Sequence, residues 1–400
     1  MPRLPVTDWE HDFDHFDPEW TRDPARVWAD LRSTCPVATS QRFEGGAYLP
    51  LRYADIYAIA YDTDHFSSQR IVVREQKQPV KGMPPITSDP PEHTPSRRIL
   101  LPAFSPKEIQ KHEQRIRAIC VDLLDGLTNR RELDAAVDYA QNVPVYTIAH
   151  MLGIDAADGD LFRKWIYSLS TGSVHDPHVG MQALAEIEAY FRTHIEQRRL
   201  HPSDDLISFL AHAEIDGEPL TDRHIIGALT LLLAAGIETT WSAIGSALWH
   251  LAAHQEDRRR LVAQPDLMAT AIEELLRVYS PVTMAREVVQ DTVVGGCPYA
   301  KGGQVLLSYP AANRDPEKFE QADSVVIDRV HNPHAAFGLG RHRCLGSNLA
   351  RLEMTIALEE WLKRIPEFEL APDKEVIWSE GQLRGPRTVP VIVRTGDHEG

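Results

Sequence analysis

The chain has 400 residues, with 42 Lys and Arg against 58 Asp and Glu, a formal charge of −16. This lacks the basic balance or basic block of a nucleic-acid binder. A hydrophobic share of 43% with 25% charged residues excludes a disordered chain and leaves enough apolar material for a large core.

Taken in chain order, the opening MPRLPVTDWEHDFDHFD is acidic and broken by proline, so it reads neither as a secretory h-region nor as a membrane anchor. No repeat, low-complexity tract or Gly/Ser linker divides the sequence, and one unit over 1–400 is expected, with 1–17 and 395–400 as peripheral tails. Strand-like pieces fall at Ala47 to Leu51, Val288 to Val294, Val305 to Leu307 and Val389 to Val393. Between them, apolar residues at three- and four-residue spacing predict helices over Ser105 to Leu127, Val143 to Leu152, Val179 to Leu200, Asp222 to His254 and Leu267 to Tyr279. The expected fold class is therefore mainly α with small β-sheets.

Thr221 before Asp222 reads as a helix start, because its hydroxyl can accept a bond from an unpaired N–H. A helix from there to His254 has 33 residues and spans roughly 50 Å. Its stretch Ile225 to Ile237 is apolar on nearly every side, which predicts a helix wrapped by others. That run is thirteen residues long and closed by Glu238, shorter than the roughly 20 residues of a membrane span. A cytoplasmic location without a membrane partner is expected. The four cysteines, Cys35, Cys120, Cys297 and Cys344, lie far apart without a CxxC pair, which fits a reducing compartment.

The most informative segment is FGLGRHRCLG, Phe337 to Gly346. Gly338, Gly340 and Gly346 permit positive φ and close backbone approach, so the loop can lie flat against a planar partner. Cys344 opens a helical pattern with Leu345, Leu349, Leu352, Ile356 and Leu362 on its apolar side. A helix N-terminus favours the thiolate, which makes Cys344 a candidate metal ligand. Two alternatives stand beside it: a small buried residue under a glycine-rich turn, and zinc held with His331, His334 and His342, although no CxxC or HExxH spacing supports zinc.

The pattern Phe-Gly-x-Gly-x-His-x-Cys-x-Gly resembles the cysteine-ligand loop of the cytochrome P450 superfamily, the haem-thiolate monooxygenases. The resemblance implies the cytochrome P450 fold, with haem b between the long central helix and the cysteine-loop helix and with Cys344 on the iron. Phe337, Gly338, Gly346 and Ala350 would border the cofactor. Glu274 and Arg277 match the family's ExxR pair, with Arg329 in VIDRVHNP as a third member, although Val326 stands where the family usually has Phe. His93 and Arg97 in DPPEHTPSRR resemble the HxxxR propionate clamp, with Pro95 unusual in its place. Arg286 and His342 match the other two propionate positions. AANRDP at 311–316 and LRGPRTVPV near the end are further family-like segments, so the resemblance runs from about residue 18 to 394 and leaves no room for a fused reductase.

Ala235-Gly236-Ile237-Glu238-Thr239-Thr240 resembles the AGxETT segment above the haem. An acid and a hydroxyl inside an apolar helix are costly unless used, and a Thr there can bond back to a carbonyl and bend the helix. Gly236 would leave room for a ligand. The family reading makes Glu238 and Thr239 the catalytic pair that delivers protons to bound O2, while thiolate donation favours O–O cleavage. The alternative is a Glu reaching solvent and a Thr satisfied by its own helix.

The implied activity is insertion of one oxygen atom into a small, mainly apolar or aromatic organic substrate, of the hydroxylation or O-dealkylation type, by a monomer. With no GxGxxG site and no iron–sulfur cysteine set in the chain, electrons would come from a separate ferredoxin with its reductase, or from a flavodoxin. Arg97, Arg98, Lys107, Lys111, Arg115, Arg341 and Arg343 either form a basic patch for that carrier or are dispersed solvating charges. The substrate pocket would be lined near the iron by Leu232, Ala235, Val282, Met284 and Leu383. Arg70, Arg74, Lys77 and Lys81 are candidates for an acidic substrate group, with a mobile solvated loop as the simpler alternative. The rival activities are a hydrogen-peroxide-dependent peroxygenase and a non-catalytic haem sensor.

Overall fold

In the computed structural model, residues 3–77, 82–127, 129–173 and 176–394 are described. The molecule is organised around one helix, Asp222–Ala253, whose Thr221 cap accepts the His224 N–H at 3.3 Å. It has 32 residues and is long and apolar enough to cross a bilayer by length and composition alone. Yet 72% of its most apolar window is buried inside the protein, which marks a core helix. Helices Asn142–Leu152, Pro177–Leu200, Met268–Val278 and Ser347–Arg364 pack around it.

The helix expected over 105–127 is two helices, Pro106–Gln110 and Glu113–Asp125. Ser105 caps the first, and the Lys111 N–H closes back on Glu108 O in a tightened last turn. The break preserves the apolar spacing, because Ile109 and Ile116 are both buried, so periodicity alone does not reveal it. The strand expected over 288–294 is likewise two strands. Thr283–Val288 belongs to a five-stranded sheet, whereas Thr292–Val294 turns at Gly295 and Gly296, both at positive φ, to pair with Cys297–Tyr299.

The five-stranded sheet runs in the order Val37–Ser40, Ala47–Pro50, Gln304–Ser308, Thr283–Val288, Phe66–Ser67. Its central strand, Gln304–Ser308, pairs parallel with Ala47–Pro50 and antiparallel with Thr283–Val288, with Leu306 opposite Ala285 and Leu307 opposite Met284. A second sheet joins Phe368–Leu370, Pro390–Val393 and Glu132–Asp134. The segment before Pro18 is not a peripheral tail: Phe13, Asp14 and His15 are buried, and Arg3 holds Asp14 at 2.8 Å. Residues 395–400 lie outside the described residues.

One buried acid stands apart from any network. Glu353, on Ser347–Arg364, has no exposed surface and neither carboxyl oxygen has a hydrogen-bond partner. Its neighbour Thr147 gives its hydroxyl to Val143 O. Burial pushes the Glu353 pKa up to about 8 from 4.5, so the folded chain holds this proton at neutral pH while the unfolded chain releases it. The unfolded state binds fewer protons, and stability falls as pH rises from the unfolded value toward the folded one, by about 1.4 kcal/mol per pH unit. Glu353→Gln should therefore raise the thermal midpoint at pH 8 and change it little at pH 4.5, as read by denaturation at the two pH values.

Candidate active site

The position of Cys344 is fixed by a carboxylate remote from it in sequence. Glu274 and Arg277, one helical turn apart on Met268–Val278, are both fully buried and paired at 2.8 Å. Arg329 Nε and Asn332 Nδ2 each reach Glu274 at 3.0 Å, and the Val326 N–H donates to it at 2.8 Å. Val326 thus serves through its backbone, which a change of side chain leaves intact. Arg277 also donates to the carbonyls of Asn313, Ala322 and Ser324. Asn313 in turn accepts the Ala335 N–H at 2.6 Å. The chain entering the cysteine loop is therefore held at several successive points.

A second network, absent from the sequence reading, clamps the loop to its helix. Arg351 pairs with Glu273 at 2.6 Å and lies 4.3 Å over the Phe337 ring, while His334 Nε2 meets Glu273 at 3.0 Å. Burial alone would raise the Glu273 pKa, but Arg351 and His334 bring it down to about 2. Gly340, at φ +68°, sits where a Cβ would be 2.3 Å from Ala60 O. Its missing side chain therefore admits the helix Tyr53–Tyr61 and not a ligand.

Cys344 itself is not the first residue of a helix, which starts at Ser347. Its N–H donates to Phe337 O at 2.7 Å. The side chain carries open surface, yet the surrounding protein desolvates it and pushes the thiol pKa up. The Gly346 N–H, Arg97, Arg343 and Arg351 act in the opposite direction. The expected thiolate preference from a helix dipole is thus outweighed in the chain alone, and a cation at the sulfur is what would reverse it.

The central helix carries the opposing wall. Leu233 and Ile237 are fully buried, but Ala235 between them is exposed, so an interior space opens along this one face. Leu232 is buried at its edge. The Thr239 hydroxyl donates to Ala235 O at 2.6 Å, the helix-bending bond expected of it. Gly236 turns the other way: a Cβ there would meet Ile148 at 2.7 Å, so it serves helix packing and not ligand approach.

Glu238 neither reaches solvent nor stands free. It is buried, and Arg387 Nη2 holds it at 2.6 Å while donating also to Thr171 Oγ1 at 3.2 Å. Burial raises the Glu238 pKa, and Arg387 and Ser170 offset this only in part. Arg387 is delivered by the close approach of Gly385 and Pro386 to the central helix, where a Cβ on Gly385 would lie 2.2 Å from Ser242 Oγ. Nothing in the segment LRGPRTVPV itself marks its second arginine, Arg387, as the partner of Glu238.

His93, Arg97, Arg286 and His342 converge. His93 begins the helix His93–Leu100, with Pro95 in its first turn, where the missing N–H costs nothing. The His93 and His342 rings lie 4.4 Å apart, and both His93 nitrogens and His342 Nε2 are buried without a partner. Burial first, then the neighbouring arginines, lowers both histidines, His342 to about 3. Among the described residues none of the four forms an ion pair with a carboxylate. Arg97 and Arg286 donate to the carbonyls of Arg343 and Ala285, so two arginines without a counter-charge and two histidines with unpartnered nitrogens beside a desolvated sulfur fit a dianionic, planar group seated against Cys344, the set that a haem with its propionates requires. Among the described residues no three His, Cys, Asp or Glu are grouped to hold a metal ion, which removes the zinc alternative.

On the substrate side, Val282 and Leu383 form a backbone bridge, and Thr283 N–H donates to Gln382 O at 2.8 Å. Gln382 also accepts the Val73 N–H and donates to Ile71 O and Thr283 O. Met284 is partly buried beside Leu307. Of the basic residues expected to meet an acidic substrate, Arg70 and Lys77 are both taken by Glu287, and Arg74 donates to Ser173. Lys81 lies outside the described residues.

A sequence profile described as Cytochrome P450 matches residues 178–383. The chain is 37% identical over 391 residues to the polyketide biosynthesis cytochrome P450 PksS of Bacillus subtilis, covering 93% of this chain and 96% of that protein. It is 35% identical to mycinamicin IV hydroxylase/epoxidase of Micromonospora griseorubida, over 91% of this chain and 94% of that one. The solved structure of PksS superposes with a TM-score of 0.88 at 33% identity, covering 96% of this chain and all of that one (100%). CYP109E1 from Bacillus megaterium, solved in complex with testosterone, gives 0.86 at 30% identity over 94% and 99%. With its cysteine loop, buried ExxR network and helical architecture, the chain belongs to the cytochrome P450 family, whose haem-thiolate chemistry makes it a monooxygenase. Replacing Glu274 by Leu would strand Arg277 and Arg329 without their counter-charge. It should cost about 3–5 kcal/mol, measured by urea denaturation.

Proposed function

We propose that this protein inserts one atom of O2 into a small, mainly apolar or aromatic molecule by hydroxylation or O-dealkylation, using haem b and electrons from a separate ferredoxin with its reductase, or from a flavodoxin. The observation that carries this reading is the desolvated Cys344 beside His93, Arg97, Arg286 and His342, four donors without a carboxylate. When bound, the haem supplies the activation of O2. Cys344 would ligate its iron, His93, Arg97, Arg286 and His342 would hold its propionates, and Phe337, Gly338, Gly346 and Ala350 would border its proximal face.

The remaining work falls to the chain. Leu232, Ala235, Val282, Met284 and Leu383 form the apolar side of the substrate space and exclude water from it. Thr239 holds a hydroxyl at the exposed notch beside Ala235, positioned to orient and pass a proton. Glu238 holds the proton reserve, and because Arg387 occupies its carboxylate, that contact must loosen before the acid can exchange with Thr239. The names of two relatives, a mycinamicin IV hydroxylase/epoxidase and a protein solved in complex with testosterone, support an organic small-molecule substrate.

Arg98, Lys107, Lys111, Arg115, Arg341 and Arg343 are exposed on and around the cysteine-loop side. They form the docking surface for an acidic electron carrier, local to that side despite the overall charge of −16. A monomer in the cytoplasm fits this arrangement.

The reduced, carbon-monoxide-treated protein should show the strongly red-shifted Soret band of thiolate ligation, and Cys344→Ser should abolish it; a histidine-type spectrum would refute the assignment. Thr239→Ala should retain haem and substrate binding while diverting reducing equivalents to hydrogen peroxide, measured as the ratio of peroxide to product. Unchanged coupling would remove Thr239 from proton delivery, and product formed from peroxide without any carrier would favour a peroxygenase.

A further inference from the structure

Away from the cysteine loop, a cleft of about 450 Å³ lies among the helix Pro24–Thr34, the central helix, the end of Met268–Val278 and the C-terminal segment. Its walls are three indoles brought from distant parts of the chain, Trp28, Trp249 and Trp378. Trp249 stands edge-on to Trp378 at 5.2 Å and to Tyr279 at 5.5 Å. The side chains give flat apolar faces set at steep angles, a shape suited to an aromatic ring.

The charge of the cleft is one-sided. Arg22, Arg314 and Arg384 line it, against the single acid Asp23. Arg314 is matched by Asp323 at 3.2 Å. Arg384 is different: its guanidinium donates to the carbonyls of Thr21 at 2.6 Å and Arg22 at 3.4 Å, and lies 4.5 Å over the Trp378 ring. Among the described residues no carboxylate forms an ion pair with it. Burial lowers its pKa to about 10, and an anion would relieve that desolvation. Two further donors of lining residues, Trp28 Nε1 and Ser246 Oγ, are shielded from water and have no hydrogen-bond partner. A largely apolar cavity bordered by a guanidinium that has carbonyl partners but no carboxylate has the form of a ligand site.

We propose that this cleft is a second small-molecule site, taking an aromatic carboxylate whose ring lies against the indoles and whose carboxylate meets Arg384. It is separate from the cofactor region and does not depend on the haem assignment. It adjoins the substrate side through the backbone, since Arg384 follows Leu383 directly and its N–H donates to Pro281 O at 2.7 Å.

The test is a calorimetric titration of the haem-loaded protein with 1-naphthoate and with its neutral counterpart 1-naphthamide. The acid should bind with one-to-one stoichiometry at least tenfold more tightly than the amide. Ala25→Phe, which fills the cleft from its rim, should abolish the binding. Arg384→Met should weaken the acid tenfold and leave the amide unchanged. Because Arg384 also holds the Thr21 carbonyl, the exposed Arg22→Glu provides an independent variant that leaves the packing intact, and it should weaken the acid severalfold. Equal affinity for acid and amide would overturn the proposal. So would naphthoate binding that survives Ala25→Phe, which would place the ligand in the substrate space.

Discussion

The architecture depends on the burial of one carboxylate. Glu274 has no exposed surface and gathers Arg277 from its own helix and Arg329, Asn332 and the Val326 N–H from the segment before the cysteine loop. A buried ion pair of this kind is weak as a source of net stability, because desolvation consumes most of its attraction. Its value lies in specificity. Each alternative arrangement of the chain before Cys344 would leave a charge unpaired in the interior, so the loop has one position, and the sulfur inherits it.

Around that fixed point the protein gathers cationic and imidazole groups that, among the described residues, have no carboxylate partner. His93, His342, Arg97 and Arg286 share a desolvated region in which burial and mutual repulsion push the histidines toward neutrality. Such a cluster opposes folding of the chain alone and is favoured when a dianion enters, since N⁺–H···O⁻ bonds in low dielectric are the strong ones. Cofactor affinity and local frustration are two descriptions of the same arrangement. The open surface at Ala235 is its counterpart on the central helix, where apolar packing stops and a hydroxyl returns to its own backbone.

The acid of that helix is more constrained than a free relay would be. Arg387 spans Glu238 and Thr171, so the Glu238 carboxyl is tied both to the C-terminal segment and to the turn that follows Gly159–Tyr167. Motion of that turn would change what Glu238 can reach.

The amino-acid sequence by itself determined the helical class and the bounds of the central helix to within a residue, while the family resemblance pointed to Glu274, Arg277 and Arg329, which the structure brings together. These signals are local: apolar periodicity, a capping hydroxyl, and short motifs whose spacing follows helix or loop geometry. Tertiary structure alone decided that Gly236 faces Ile148, that Arg70 and Lys77 are taken by Glu287, and that Arg387 closes on Glu238. It also broke the helix expected over 105–127 and buried Phe13 and His15. In each case the outcome rests on which group stands opposite. A long charged side chain can reach in many directions, a two-residue turn leaves apolar spacing unchanged, and the partner is supplied by a segment far away in the chain.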